Sequence, residues 1–155
     1  MQWAWPLAAR AAHELADTTA CAELLGQLDG APPGHLAPIL GAERDLVRAR
    51  LAAAGGDQAA SAPDLAAAIR GLRDRSTPYH LAHGLLDQAE YLTAVDRDAA
   101  EAAIREARDI GTRLCCQPLL DRAASLADAA SPAMRWRGSG RPARQASLVG
   151  SAEYA

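Results

Sequence analysis

Three side chains on one short stretch have the types and the spacing to do chemistry. They are His80, His83 and Asp87, within His80-Leu81-Ala82-His83-Gly84-Leu85-Leu86-Asp87. Imidazoles at i and i+3, with a carboxylate four residues on, leave a helix on the same side, where they could share a divalent metal. A zinc site ordinarily needs a fourth group, and no second cluster of ligand-type residues stands elsewhere. Leu81, Leu85, Ala89 and Leu92 form the apolar stripe of the same stretch, so the two histidines and the aspartate are expected on its other side, facing solvent or a partner. No metal and no cofactor is assigned.

The remaining reactive residues point away from catalysis. Cys115 and Cys116 are adjacent, which fits neither a C-x-x-C redox pair nor a zinc knuckle, and neighbouring cysteines rarely reach disulfide geometry. With Cys21 beside Leu24 and Leu25, all three read as buried structural thiols of a reducing, cytoplasmic compartment. The chain has no lysine, so a phosphate-binding G-x-x-x-x-G-K-[ST] loop is impossible. Gly138-Ser139-Gly140 precedes no helix. The carboxylates stand mostly in arginine-paired patterns, the usual solvated helix face. No catalytic residue is named, and the chain is expected not to be an enzyme.

Composition narrows the elements that position these side chains. The 155 residues include no phenylalanine and about a quarter are alanine. Alanine favours helix and disfavours strand, which excludes a β-sandwich or barrel. No run approaches the ~20 apolar residues of a bilayer span, and the start lacks the regions of a signal peptide. Net charge is −3, divided between a body at −6 up to Ala130 and a segment at +3 from Ser131. An acidic body with four arginines in a tail is not the footprint of a nucleic-acid-binding domain. Neither nucleic acid nor membrane is expected as a partner.

Turn signals divide the chain into helices. The first covers about 3–17 and the second runs to Leu28, after caps at Asp17-Thr18-Thr19. Asp29-Gly30-Ala31-Pro32-Pro33-Gly34 breaks the chain. A third helix carries Pro38 in its first turn and runs to about Ala54. Ser61-Ala62-Pro63-Asp64 has the spacing of a capping box, and Thr77-Pro78 is a cap with proline at the first helical position. Asp98 and Glu101 open the most amphipathic stretch, along Ala100, Ala103, Ala107, Ile110 and Leu114. Gln117-Pro118 opens the last helix. Residues 131–155, rich in Gly, Ser, Pro and Arg, read as disordered.

Short connections make neighbouring helices antiparallel hairpins, and the hairpins repeat. AAIRGLRD at 67–74 and AAIREARD at 102–109 share six of eight positions at an offset of 35. At the same offset Leu46, Leu51 and Ala54 match Leu81, Leu86 and Ala89. A period near 34 with two helices per unit is that of tetratricopeptide arrays. Alanines 49, 54, 67, 89, 103 and 107 are expected where helices cross closely.

The segments AWPLAARAAHEL (4–15), PGHLAP (33–38), AERDLVRARLAAAGGD (42–57), STPYHLAHGLLDQAEYL (76–92) and RLCCQPLLDRAASL (113–126) carry a resemblance. Over about residues 3–128 the chain resembles the C-terminal helical region of large actinobacterial signalling proteins. Those proteins join a class III adenylate/guanylate cyclase domain, an AAA-type ATPase and a tetratricopeptide-like array. The chain is also similar to the array of LuxR-like ATP-binding transcriptional regulators. The resemblance implies a fragment or truncated relative without the cyclase, ATPase or DNA-binding parts, so none of the family's catalytic residues is carried over. The turn Val95-Asp96-Arg97-Asp98 departs from the pattern by lacking a glycine.

The expected architecture is therefore all-α: a tetratricopeptide-like antiparallel helix-hairpin array over 1–130, with a disordered basic tail over 131–155. Hairpins are expected at about 3–29, 35–74 and 77–115, followed by a final helix at 118–129. The expected function is non-catalytic scaffolding in signalling or regulation. The alternatives are a cyclase- or regulator-derived fragment and a small metal-binding protein using His80, His83 and Asp87. The partner would be a protein or peptide, or neighbouring ATPase or cyclase domains in a longer relative. It would be held in a groove lined by Arg44, Arg48, Tyr79, His80, His83 and Asp87. An uncapped first helix exposing Trp3, Trp5 and Leu7 would favour self-association.

Overall fold

The computed structural model describes residues 4–32, 34–56 and 58–130, the side chains of 58–60 excepted. Within them the chain is all-α, with seven helices and no strand: α1 (Ala4–Glu14), α2 (Thr18–Asp29), α3 (Pro38–Ala54), α4 (Gln58–Arg75), α5 (Pro78–Leu92), α6 (Arg97–Arg113) and α7 (Gln117–Ala130). No helix among the described residues is long and apolar enough to cross a membrane. The tail expected over 131–155 and the exposure expected for Trp3 lie outside the described residues.

Local chemistry sets most helix ends. The Asp17 carboxylate accepts from Ala20 N at 2.9 Å, opening α2, and the Asp96 carboxylate accepts from Ala99 N at 3.0 Å, opening α6. Thr77 caps α5, with Pro78 at its first position. The Ser61 capping box does not open a helix: α4 starts at Gln58 and carries Pro63 inside it, with Ser61 buried. Packing of Leu65, Ala68 and Leu72 into the core holds this helix despite the hydrogen-bond donor that Pro63 lacks. Helices α1 and α6 end in left-handed residues that are not glycine, Ala16 (φ 55) and Cys115 (φ 51). In each case the amide three residues past the helix end closes a six-residue loop: Asp17 N to Ala12 O and Cys116 N to Gly111 O, both 2.9 Å. This turn leaves Cys115 exposed and Cys116 half-buried, so of the three thiols expected inside only Cys21 is fully buried.

Each helix packs on its successor, and α1 also meets α3 as α5 meets α7. Between these pairs α3 reaches α5 through side chains, Arg50 to Asp87 and Glu43 to His80, so the odd-numbered helices follow one another in a row. Two apolar clusters form. The larger runs through α3–α7 around Leu46, Leu72, Leu86, Ala107 and Leu119. The smaller joins α1, α2 and α3 through Trp5, Ala9, Leu28, Leu40 and Val47. Alanines 42, 49, 82, 89, 103 and 107 are buried at the crossings, whereas Ala54 and Ala67, expected there, are exposed. Trp5, expected on the surface, is buried, and its indole N–H donates to Leu24 O at 3.0 Å.

Candidate functional site

The side chains singled out on α5 are inside the molecule. His80 and His83 are 6% and 8% exposed, and Asp87 has no exposed surface. The expectation that they face solvent fails because α5 is covered on both sides. Its leucines and alanines meet α4 and α6, while its polar edge meets α1, α3 and α7. Charged residues tolerate that burial where opposite charges meet them. Asp87 accepts from Arg50 Nη2 of α3 and from Arg122 Nη2 of α7, the latter at 2.7 Å. His13 Nε2 of α1 lies 3.9 Å away. One carboxylate therefore joins three helices and approaches a fourth. Nearer the helix start, His80 Nδ1 stands 2.7 Å from the buried Glu43 carboxylate of α3.

Tyr79 rims this cluster. Its ring stands edge-on to His83 with centroids 4.7 Å apart, and the Arg10 guanidinium lies 5.4 Å from its centre. Arg10 is itself buried, and its Nε and Nη1, like Nε of Arg50, have no acceptor among the described residues. Burial lowers the pKa of Arg10, partly offset by Glu43 and Tyr79. Burial also brings Arg50 down to about 10, against the pull of Glu43. His13 is held down to about 4 by burial and by Arg50 and Arg122. His83 is held down to about 3 by burial, then by Arg10, Arg122 and Arg50. Both imidazoles are neutral at neutral pH. Arginines 10, 50 and 122 stand against Glu43, Asp87 and Glu90, the last 3.3 Å from Arg122 Nη2, so the formal charges of the cluster balance.

The six residues expected to line one groove fall into two places. Tyr79, His80, His83 and Asp87 belong to the row of odd helices. Arg44 and Arg48 lie at the α2–α4 side of α3. There Arg48 Nη2 donates to Asp29 at 2.6 Å, and Arg44 meets Asp29 at 3.9 Å and Asp45 at 3.4 Å. Nor do the three α5 residues converge on a metal position: His80 meets Glu43, His83 meets Tyr79, and Asp87 meets arginines. Among the described residues no three His, Cys, Asp or Glu side chains are grouped to hold a metal ion.

Arg10, His13, Glu43, Arg50 and Arg122 complete the cluster, and reading by single helices missed them. Their signal is register. His13, Arg50, Asp87 and Arg122 follow one another at separations of 37, 37 and 35 residues, and Glu43 precedes His80 by 37. The same turn of each odd helix thus carries an ionisable group.

Beside this ladder lies a cavity of about 450 Å³, bounded by the α1–α2 turn, α3, the end of α5, and α7. Arg50, Arg122, His13, Tyr91 and Glu90 supply its polar lining, and Val47, Leu51 and Cys21 its apolar wall. Burial raises the pKa of the Tyr91 hydroxyl and of the Cys21 thiol, so both are protonated at neutral pH. The arrangement can donate hydrogen bonds from buried guanidinium groups and present opposite charges a few ångströms apart, which is the chemistry of binding. Compared with family profiles, curated proteins and solved structures, the chain has no significant match.

Proposed function

We propose that this chain is a non-catalytic protein-interaction module of a signalling or regulatory protein, built as a tetratricopeptide-like stack of helical hairpins. The observation that carries the reading is the uncovered flank of α1. Leu7 and Leu15 are 56% and 79% exposed, and Ala4, Ala8 and Ala11 are exposed alongside them. Along the row, α3 has a neighbour on either flank, whereas α1 has α3 on one flank and, among the described residues, nothing on the other. A flank of leucine and alanine continuing a helical stack fits the apolar face of one more amphipathic helix, here one contributed by a partner polypeptide. The buried charges support the same reading, because Glu43, Arg50 and Asp87 serve as cross-braces between helices.

The test places a photo-crosslinking phenylalanine analogue at Leu15, in cells that naturally make the protein. Val95, an exposed apolar residue at the α5–α6 turn, is the control position. The expected result is an adduct of one defined mass from position 15 and none from position 95. No adduct, equal adducts from both positions, or an adduct with the mass of two copies would contradict the proposal.

A further inference from the structure

The cavity beside the charge ladder carries a second inference, independent of the α1 flank. It lies at the seam between the two apolar clusters: Ala9, Cys21, Val47 and Leu51 on its wall belong to the smaller one or pack against it, and Tyr91 packs against the larger. Its volume of about 450 Å³ is within the range of small-molecule sites, about 300–1,000 Å³.

Its deepest polar group is Arg50. The residue is 4% exposed, gives one hydrogen bond to Asp87, and keeps Nε buried without an acceptor among the described residues. An arginine fork has five donors and Arg50 gives one of them to Asp87, so its guanidinium keeps donors for an incoming acceptor. Arg122 stands beside it on the same carboxylate. Arg122 also meets the exposed Glu90, so an incoming carboxylate would take the place of Glu90 on Arg122.

At the mouth the sign reverses, because Glu14 and Glu90 line the cavity and both are exposed. Glu90 Oε2 lies 3.3 Å from Arg122 Nη2, so opposite charges sit side by side. An α-ammonium and an α-carboxylate have that same close spacing. The exposed pair they would replace is itself worth little. Val47, Leu51 and Ala54 then offer an aliphatic wall.

We propose that this cavity binds a free α-amino acid with an aliphatic side chain. The carboxylate lies on Arg50 and Arg122, the ammonium on Glu90, and the side chain against Val47 and Leu51. A bound amino acid would tie the α1–α2 hairpin to α3, α5 and α7, giving the module a small-molecule input.

The test is isothermal titration calorimetry of the full chain with L-leucine, L-isoleucine and L-valine. N-acetyl-leucine and leucinamide serve as analogues that each keep one charge. One-to-one binding of at least one amino acid is expected, with both analogues at least about tenfold weaker, the effect of losing one charged hydrogen bond. Glu90→Gln should weaken the amino acid about tenfold and should not weaken N-acetyl-leucine, which has no ammonium to lose and no longer competes with Glu90 for Arg122. Ala54→Trp, at an exposed wall position, should abolish binding without lowering the unfolding midpoint of the unliganded chain. The proposal is overturned if none of the three amino acids binds, or if either analogue binds as tightly as its parent. Undiminished binding in Ala54→Trp or Glu90→Gln overturns it as well.

Discussion

Two imidazoles with no room for a proton sit among three arginines. His83 faces Arg10, Arg50, Arg122, His80 and the Tyr79 ring. His13 faces Arg50, Arg122, Tyr91 and, at 3.9 Å, Asp87. Both have folded pKa values, about 3 and about 4, below the 6.5 of a free imidazole. As the pH falls through 6.5 the unfolded chain takes up protons that the folded chain refuses. Stability is therefore level above that pH and declines below it, approaching about 1.4 kcal/mol per pH unit for each imidazole. Urea unfolding of the native chain should show this decline between about pH 6.5 and 5, above the range in which carboxylates titrate. His83→Asn should flatten the slope by about half, whatever it does to stability at pH 8. Identical slopes would contradict the burial of His83. At this scale the sequence displays the types and spacing of His80, His83 and Asp87 but not their surroundings. A polar edge opposite a leucine stripe looks solvated until the counter-charges of three other helices come alongside.

Helix existence is legible from alanine content, caps and apolar spacing, and Asp17, Thr77-Pro78 and Gln117-Pro118 mark real starts. The Ser61 box misleads because α4 is already under way at Gln58 and runs through the local start signal, held by the core contacts of Leu65 and Leu72. Close approach is less visible in sequence, and Gly84 shows why. A Cβ there would lie 2.5 Å from Leu72 Cδ1, 3.0 Å from Ile69 Cδ1 and 3.6 Å from Leu46 Cδ2, and both leucines are fully buried. Gly84→Ala should destabilise the fold by about 1–3 kcal/mol through overpacking, which exceeds the gain of about 1 kcal/mol in helix propensity. Gly26, exposed on α2, has nothing within 4 Å of its would-be Cβ. Gly26→Ala should stabilise by up to about 1 kcal/mol. Denaturant midpoints of the two variants should move in opposite directions, and movement in the same direction would contradict the packing described for α5.

At the scale of the molecule, alanine lets the helices approach and the charge ladder fixes which turn of one odd helix meets which turn of the next. The all-α class follows from composition. The ladder does not, because its members stand 35 or 37 residues apart and each looks like an ordinary surface charge on its own helix. Only the recurrence of an ionisable residue at one register, from His13 through Arg50 and Asp87 to Arg122, betrays it. The central claim is that this ladder is a buried brace on which the stability of the whole row depends. A double-mutant cycle of Arg50→Met and Asp87→Asn, read by denaturant unfolding of the full chain, tests it most directly. Asp87→Asn alone should cost about 3–5 kcal/mol, because it strands a buried guanidinium. The pair should be less destabilised than the sum of the singles by about 2 kcal/mol or more. Single costs within about 0.5 kcal/mol that simply add, as for a solvent-exposed ion pair, would contradict the account.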